Sequence, residues 1–128
     1  MVPKAHREDL VTHRISTFGE LRDAISAYRL PTVLLAALEL GLFTVIGDRS
    51  WTLTTLAKKL KVSERGLGIL CRNLASAGLL YKSDSVYRNS TLGATALNAN
   101  HRTYRGGYLT LIRSHWEDWI RFGESIRS

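Results

Sequence analysis

A mainly helical domain with one small β-hairpin is the fold class this sequence predicts. Three observations carry the prediction. Apolar residues recur at spacings of three and four along most of the chain. Two helical patterns in its middle are separated by a few residues, and each follows a Thr or Ser suited to cap it. Two short strand candidates, residues 79–82 and 86–89, flank Ser83-Asp84-Ser85 as the arms of a hairpin flank its turn.

Taken in order, residues 1–16 are polar and charged without a period, and predict a mobile N-terminal arm. Phe18, Leu21, Ile25 and Tyr28 then mark one face of an amphipathic helix. Pro31 suits the first turn of the next helix, where its missing N–H costs nothing. Residues 32–46 carry Val33, Leu34, Leu35, Leu38, Leu40, Leu42, Phe43, Val45 and Ile46, which fall on every side of a helical wheel. A helix apolar all round must be covered all round, and a domain this small has few elements to cover it. A second copy of the chain would do so, with Leu34, Leu35, Leu38, Leu42 and Phe43 as dimerisation residues.

Gly47 to Ser50 reads as a turn. Thr52 caps a helix carrying Leu53, Leu56, Ala57 and Leu60. Lys61-Val62 turns the chain. Ser63 caps the next helix, and Val62 is spaced to pack on Leu67. Leu67, Leu70, Leu74 and Ala77 form that helix's buried stripe, and Gly78 stops it. The hairpin follows, then Thr91 caps a short helix reaching Leu97. Helix, turn, helix and hairpin together make a winged helix-turn-helix, flanked by N- and C-terminal helices. Residues 17–100 are its expected extent. In 101–128, Tyr104, Tyr108, Leu111, Ile112, His115, Trp116, Trp119, Ile120 and Ile126 return at helical spacing after a polar linker.

Composition narrows the class. The 128 residues are 45% hydrophobic and 23% charged, as in an ordinary globular domain. The longest apolar run, 30–46, contains Pro31, Glu39 and Gly41 and is too short to span a bilayer, so no membrane segment is expected. The first ten residues lack the apolar core of a secretory signal. Cys71 is the only cysteine, which excludes an internal disulfide and fits a cytoplasmic protein. His6, His13, His101 and His115 share no i, i+3 or i, i+4 spacing, so no metal site is expected. The net charge of +7 is uneven: residues 51–100 hold seven Lys/Arg against two Asp/Glu, while residues 1–50 balance.

The wording of several segments adds a resemblance. Residues 36–43 read Ala-Ala-Leu-Glu-Leu-Gly-Leu-Phe, and Leu56-Ala57, the 70–74 stretch, Gly78-Leu79-Leu80, Tyr87 and Thr91 follow in order. With the closing segment 116–127, they resemble the N-terminal dimerisation domain of plant-type, small-molecule O-methyltransferases that use S-adenosylmethionine. The resemblance implies an interlocked homodimer that shapes the pocket of a small aromatic acceptor. It also implies a second, doubly wound domain that binds the methyl donor. Nothing in these residues matches that domain. Gly66-Leu67-Gly68 lies inside a predicted helix rather than after a strand, so the chain itself is expected to bind no cofactor and to hold no catalytic residue. Trp116, Trp119 and Phe122 are the candidate pocket residues, because stacked rings suit flat acceptors.

A winged-helix DNA-binding transcriptional regulator is the rival reading. Its second helix would have to read base edges with long polar side chains. Beside Gly66, Gly68, Ile69, Ala75 and Ser76, that helix offers Arg65, Arg72 and Asn73. Lys82 and Arg88 on the hairpin suit phosphates rather than bases. Sequence-specific recognition of nucleic acid is therefore not expected.

Overall fold

The computed structural model describes residues 14–127. The predicted arm falls mostly outside them. The first helix, α1 (Phe18–Ser26), opens with a reciprocal cap. The Thr17 hydroxyl accepts from the Glu20 N–H at 3.1 Å and donates to the Glu20 carboxylate at 3.0 Å.

The all-round apolar helix is in fact two helices. Gly41 adopts φ 69°, a left-handed conformation that is costly for a residue with a Cβ. It ends α2 (Arg29–Leu40) and starts α3 (Leu42–Ile46) in a new direction. The break sorts the apolar residues. Leu42, Phe43 and Ile46 are fully buried in the chain's own core, whereas Leu34, Leu35 and Leu38 on α2 are only half-buried. Leu42 and Phe43 therefore have no surface left to offer a partner, and the expectation that they pair two copies is corrected.

Strand β1 (Trp51–Thr52) leads directly into α4 (Leu53–Leu60), where the Thr52 hydroxyl accepts from Thr55 N–H. Helix α5 (Glu64–Ser76) is capped by Ser63, which accepts from Gly66 N–H at 2.9 Å. It ends in a Schellman motif: with Gly78 at φ 80°, Leu79 N–H reaches Leu74 C=O at 2.9 Å and Gly78 N–H reaches Ala75 C=O at 3.0 Å. The hairpin is β2 (Leu80–Ser83) with β3 (Val86–Asn89), turning at Asp84, whose φ is 54°. β1 adds to it as a third, antiparallel strand, in the order β1-β3-β2, with Trp51 opposite Tyr87. Helix, turn, helix and three-stranded wing are those of a winged helix.

Helix α6 (Thr91–Ala96) follows, capped by Ser90 rather than by Thr91 as expected. The Ser90 hydroxyl accepts from Gly93 N–H at 3.1 Å and donates to Leu79 C=O at 3.0 Å. The last pattern forms α7 (Gly106–Ile120), which breaks at Arg121 before α8 (Phe122–Ser125).

The core joins α3, α4, α5 and the sheet through Leu42, Phe43, Ile46, Leu56, Cys71, Leu74 and Leu80. Two buried polar ties fix α3 against it. Trp51 Nε1–H donates to Ile46 C=O at 3.1 Å. Asn89 Nδ2–H donates to Phe43 C=O at 2.9 Å, which also accepts from Gly47 N–H, and to Gly47 C=O at 3.0 Å, tying down the C-terminal end of α3. Among the described residues no helix is long and apolar enough to cross a membrane.

Candidate functional site

The core leaves two helices almost unused. α1 buries none of its residues, and α7 buries only Gly106. Their apolar residues face outward instead. Phe18 is 74% exposed and Ile25 61%, with Leu21, Tyr28 and Leu30 also open. Along α7 and α8, Tyr108, Leu111, Trp119, Ile120, Phe122 and Ile126 are exposed as well. Scattered exposed leucines need no explanation, but apolar faces on two whole helices mark an interface.

Between α2 and α7 lies an open apolar groove of about 420 Å³. α2 supplies Pro31 and Leu35, and Tyr28 precedes it. α7 supplies Leu109, Ile112, His115, Trp116 and Trp119. Its lining is apolar and aromatic apart from the Tyr28 hydroxyl and the His115 imidazole, a balance suited to a flat organic molecule with one or two polar groups. Trp116 and Leu35 form a shared wall, since both also line a smaller recess with Thr32, Ala36, Glu39 and Arg113. There Arg113 bridges Glu39 of α2 and Glu117 of its own helix, a polar clamp between the two walls.

The expected pocket residues divide between wall and rim. Trp116 is half-buried in the groove wall and Trp119 is its exposed edge. Phe122 lies beyond the groove lining but meets Trp119 edge to face, with ring centroids 5.1 Å apart and planes at 66°. Of the expected dimerisation residues, Leu35 lines the groove and Leu34 and Leu38 lean on the core. Sequence reasoning missed Tyr28, Pro31 and Leu109 as groove residues. Tyr28 was legible as the last apolar residue of the first helix, but its closeness to α7 depends on a contact some eighty residues away along the chain.

The remaining candidate chemistry is sparse. Cys71 is a free, fully buried thiol, and burial pushes its pKa up to about 11. Burial raises the Tyr87 hydroxyl as well, with Cys71 adding to the effect. Among the described residues no three His, Cys, Asp or Glu side chains gather as metal ligands would. His101 accepts from Thr103 N–H at 3.2 Å in a local turn, while His115 is exposed and lines the groove.

Comparison with known proteins gives this geometry a family. The profile of the O-methyltransferase dimerisation domain matches residues 23–99. The chain belongs to the O-methyltransferase dimerisation-domain family. A 3-hydroxy-5-methyl-1-naphthoate 3-O-methyltransferase of Streptomyces sahachiroi is 30% identical over 96 residues, covering 74% of this chain and 28% of that protein. An O-methyltransferase family protein from Burkholderia thailandensis superposes with a TM-score of 0.82 at 27% identity, over 90% of this chain and 34% of its own. Human N-acetylserotonin methyltransferase, solved in complex with SAM, shares the fold with a TM-score of 0.76 at 22% identity, over 91% of this chain and 36% of its own. The chain thus spans about a third of the length of these methyltransferases. Within this dimerisation domain, α2, α3, the winged helix and α6 fall inside the matched residues, while α7 and the aromatic rim of the groove lie C-terminal to them.

Proposed function

We propose that this domain pairs with a second copy of itself, interlocked through α1 and α7, and thereby shapes the acceptor pocket of an S-adenosylmethionine-dependent methyltransferase. The acceptor is a small, flat, hydroxylated aromatic compound. The carrying observation is the coincidence of outward apolar faces on α1 and α7 with an aromatic groove that α7 forms against α2. Each copy's α1 is short of a partner surface, and each copy's α7 offers one. The naphthoate acceptor of the S. sahachiroi relative supports an acceptor of that shape. S-adenosylmethionine would belong to a separate catalytic unit, because no residue of the groove forms the glycine-rich strand-to-helix turn that holds a nucleoside. The free thiol of Cys71 supports a reducing, cytoplasmic setting.

Light scattering on the chain at micromolar concentration tests the pairing, and a monomer would refute it. Fluorescence titration with 1-hydroxy-2-naphthoate tests the groove. Quenching that is lost in Trp116→Ala supports the acceptor reading, and quenching indifferent to Trp116 opposes it.

A further inference from the structure

The winged helix carries a second surface that pairing and the groove leave unused. Lys58, Lys59 and Lys61 end α4, Arg65 and Arg72 lie on α5, and Lys82 and Arg88 lie on the wing, all of them exposed. The salt bridges among the described residues join Arg113 to Glu39 and Glu117 and involve none of these seven cations. Among the described residues the region's two acids form no ion pair with them. Glu64 accepts from the Thr54 hydroxyl, and Asp84 sits at the tip of the wing turn.

The cations occupy neighbouring elements, because α5 packs against both α4 and β2. Arg65, Ile69, Arg72 and Ser76 stand at i, i+4, i+7 and i+11, one exposed stripe along α5. The two arginines are thus about 10 Å apart along the axis. On the wing, Lys82 is opposite Tyr87 in register, with its ammonium 5.9 Å from the ring centroid, on the side of the ribbon that meets the core. Arg88 is opposite Tyr81 on the other side and stands apart from this face.

We propose that this face is a second binding surface, which holds the phosphate backbone of double-stranded nucleic acid without reading its sequence. A projecting helix beside a two-stranded ribbon matches a duplex, whose major groove admits an α-helix while its flanking strands present phosphates. Sequence indifference follows from the same stripe. Between its arginines stands Ile69, and beyond them Ser76, so no pair of long polar side chains converges on one base. This surface is independent of the methyltransferase reading and survives its failure.

The test is fluorescence anisotropy of the chain with a labelled random-sequence duplex, titrated between 50 and 200 mM salt. If Arg65, Arg72 and Lys82 each hold one phosphate, log K falls against log salt with a slope of about −2.7, a loss of about 40-fold across that range. Arg65→Gln with Arg72→Gln should reduce the slope to about −0.9 and Lys82→Gln to about −1.8, whereas Arg88→Gln should leave it unchanged, each with an unchanged circular dichroism spectrum. Unlabelled duplexes of unrelated sequence should compete equally, and poly-L-glutamate of equal charge should compete poorly. No binding at 50 mM salt overturns the proposal. So does a slope lowered equally by Arg102→Gln with Arg127→Gln, which would mean diffuse charge. Equal competition by poly-L-glutamate would assign the face to an acidic protein instead, and enrichment of one duplex would make it a sequence reader. Either result overturns the proposal.

Discussion

Replacing Phe18 and Ile25 by alanine should convert the proposed dimer to a folded monomer. Both residues lie on α1, which contributes nothing to the buried core, so the fold itself has little to lose. Phe18 is 74% and Ile25 61% exposed in the single chain, and that exposed area is what pairing would cover. Full burial of such a side chain is worth about 1.5–3 kcal/mol, so these fractions correspond to about 1–2 kcal/mol each. A two-fold axis counts every contact twice, which brings the loss in the double variant to about 4–8 kcal/mol. At 1.4 kcal/mol per decade, the dissociation constant should rise by about three to six orders of magnitude. Sedimentation velocity from 1 to 100 µM would follow the change, with circular dichroism and the urea midpoint as controls for the fold. A variant that stays dimeric throughout this range would refute the assignment of α1 to the interface. A variant that unfolds would refute the claim that α1 stands apart from the core.

Three further outcomes follow from the packing. Phe43→Ala should cost about 3–5 kcal/mol in urea denaturation, since the ring is fully buried, and a loss under 1 kcal/mol would contradict its place at the centre of the core. Asn89→Asp should destabilise at neutral pH by more than Asn89→Ala, because a carboxylate would face the Phe43 and Gly47 carbonyls, acceptor against acceptor. Protonation restores one donor, so thermal melts should show the Asp variant regaining stability as pH falls toward 4, and a pH-independent deficit would oppose this geometry. Cys71 should react with a thiol reagent only as fast as the chain unfolds. Its folded pKa of about 11 lies above the ordinary 9.0, so the stability it contributes is complete below pH 9 and lost as pH rises toward 11. A melting temperature flat across that window would count against it.

The winged helix was legible because its signals are local. Thr52 and Ser63 cap where a side-chain oxygen meets an N–H three residues on, and the Schellman turn at Gly78 is written in one residue. The first hairpin strand was displaced by one residue at both ends, 80–83 against 79–82, since strand ends depend on where pairing stops. Two features escaped. β1 is two residues long and exists only because β3 lies beside it, so no period within Trp51–Thr52 could announce it. The groove pairs Tyr28 and Pro31 with Leu109 and Ile112, a juxtaposition set by how the chain returns after α6. The helical wheel misled over residues 32–46 because it assumed one straight axis. Gly41 was visible in the sequence, but its left-handed conformation turns the axis and gives Leu42 and Phe43 a different environment from Leu35.

That turn at Gly41 divides one run of side chains between two duties. On its C-terminal side, Leu42, Phe43 and Ile46 are answerable to the fold; on its N-terminal side, Leu34, Leu35 and Leu38 keep part of their surface outward. Substitutions after the glycine are screened by whether the chain survives at all. Before it, Ala37 is still tied to the core, but the outward parts of Leu34, Leu35 and Leu38 are free to set what the chain meets. One short apolar run thus holds a half that the core closes over and a half that still has surface to offer a neighbour.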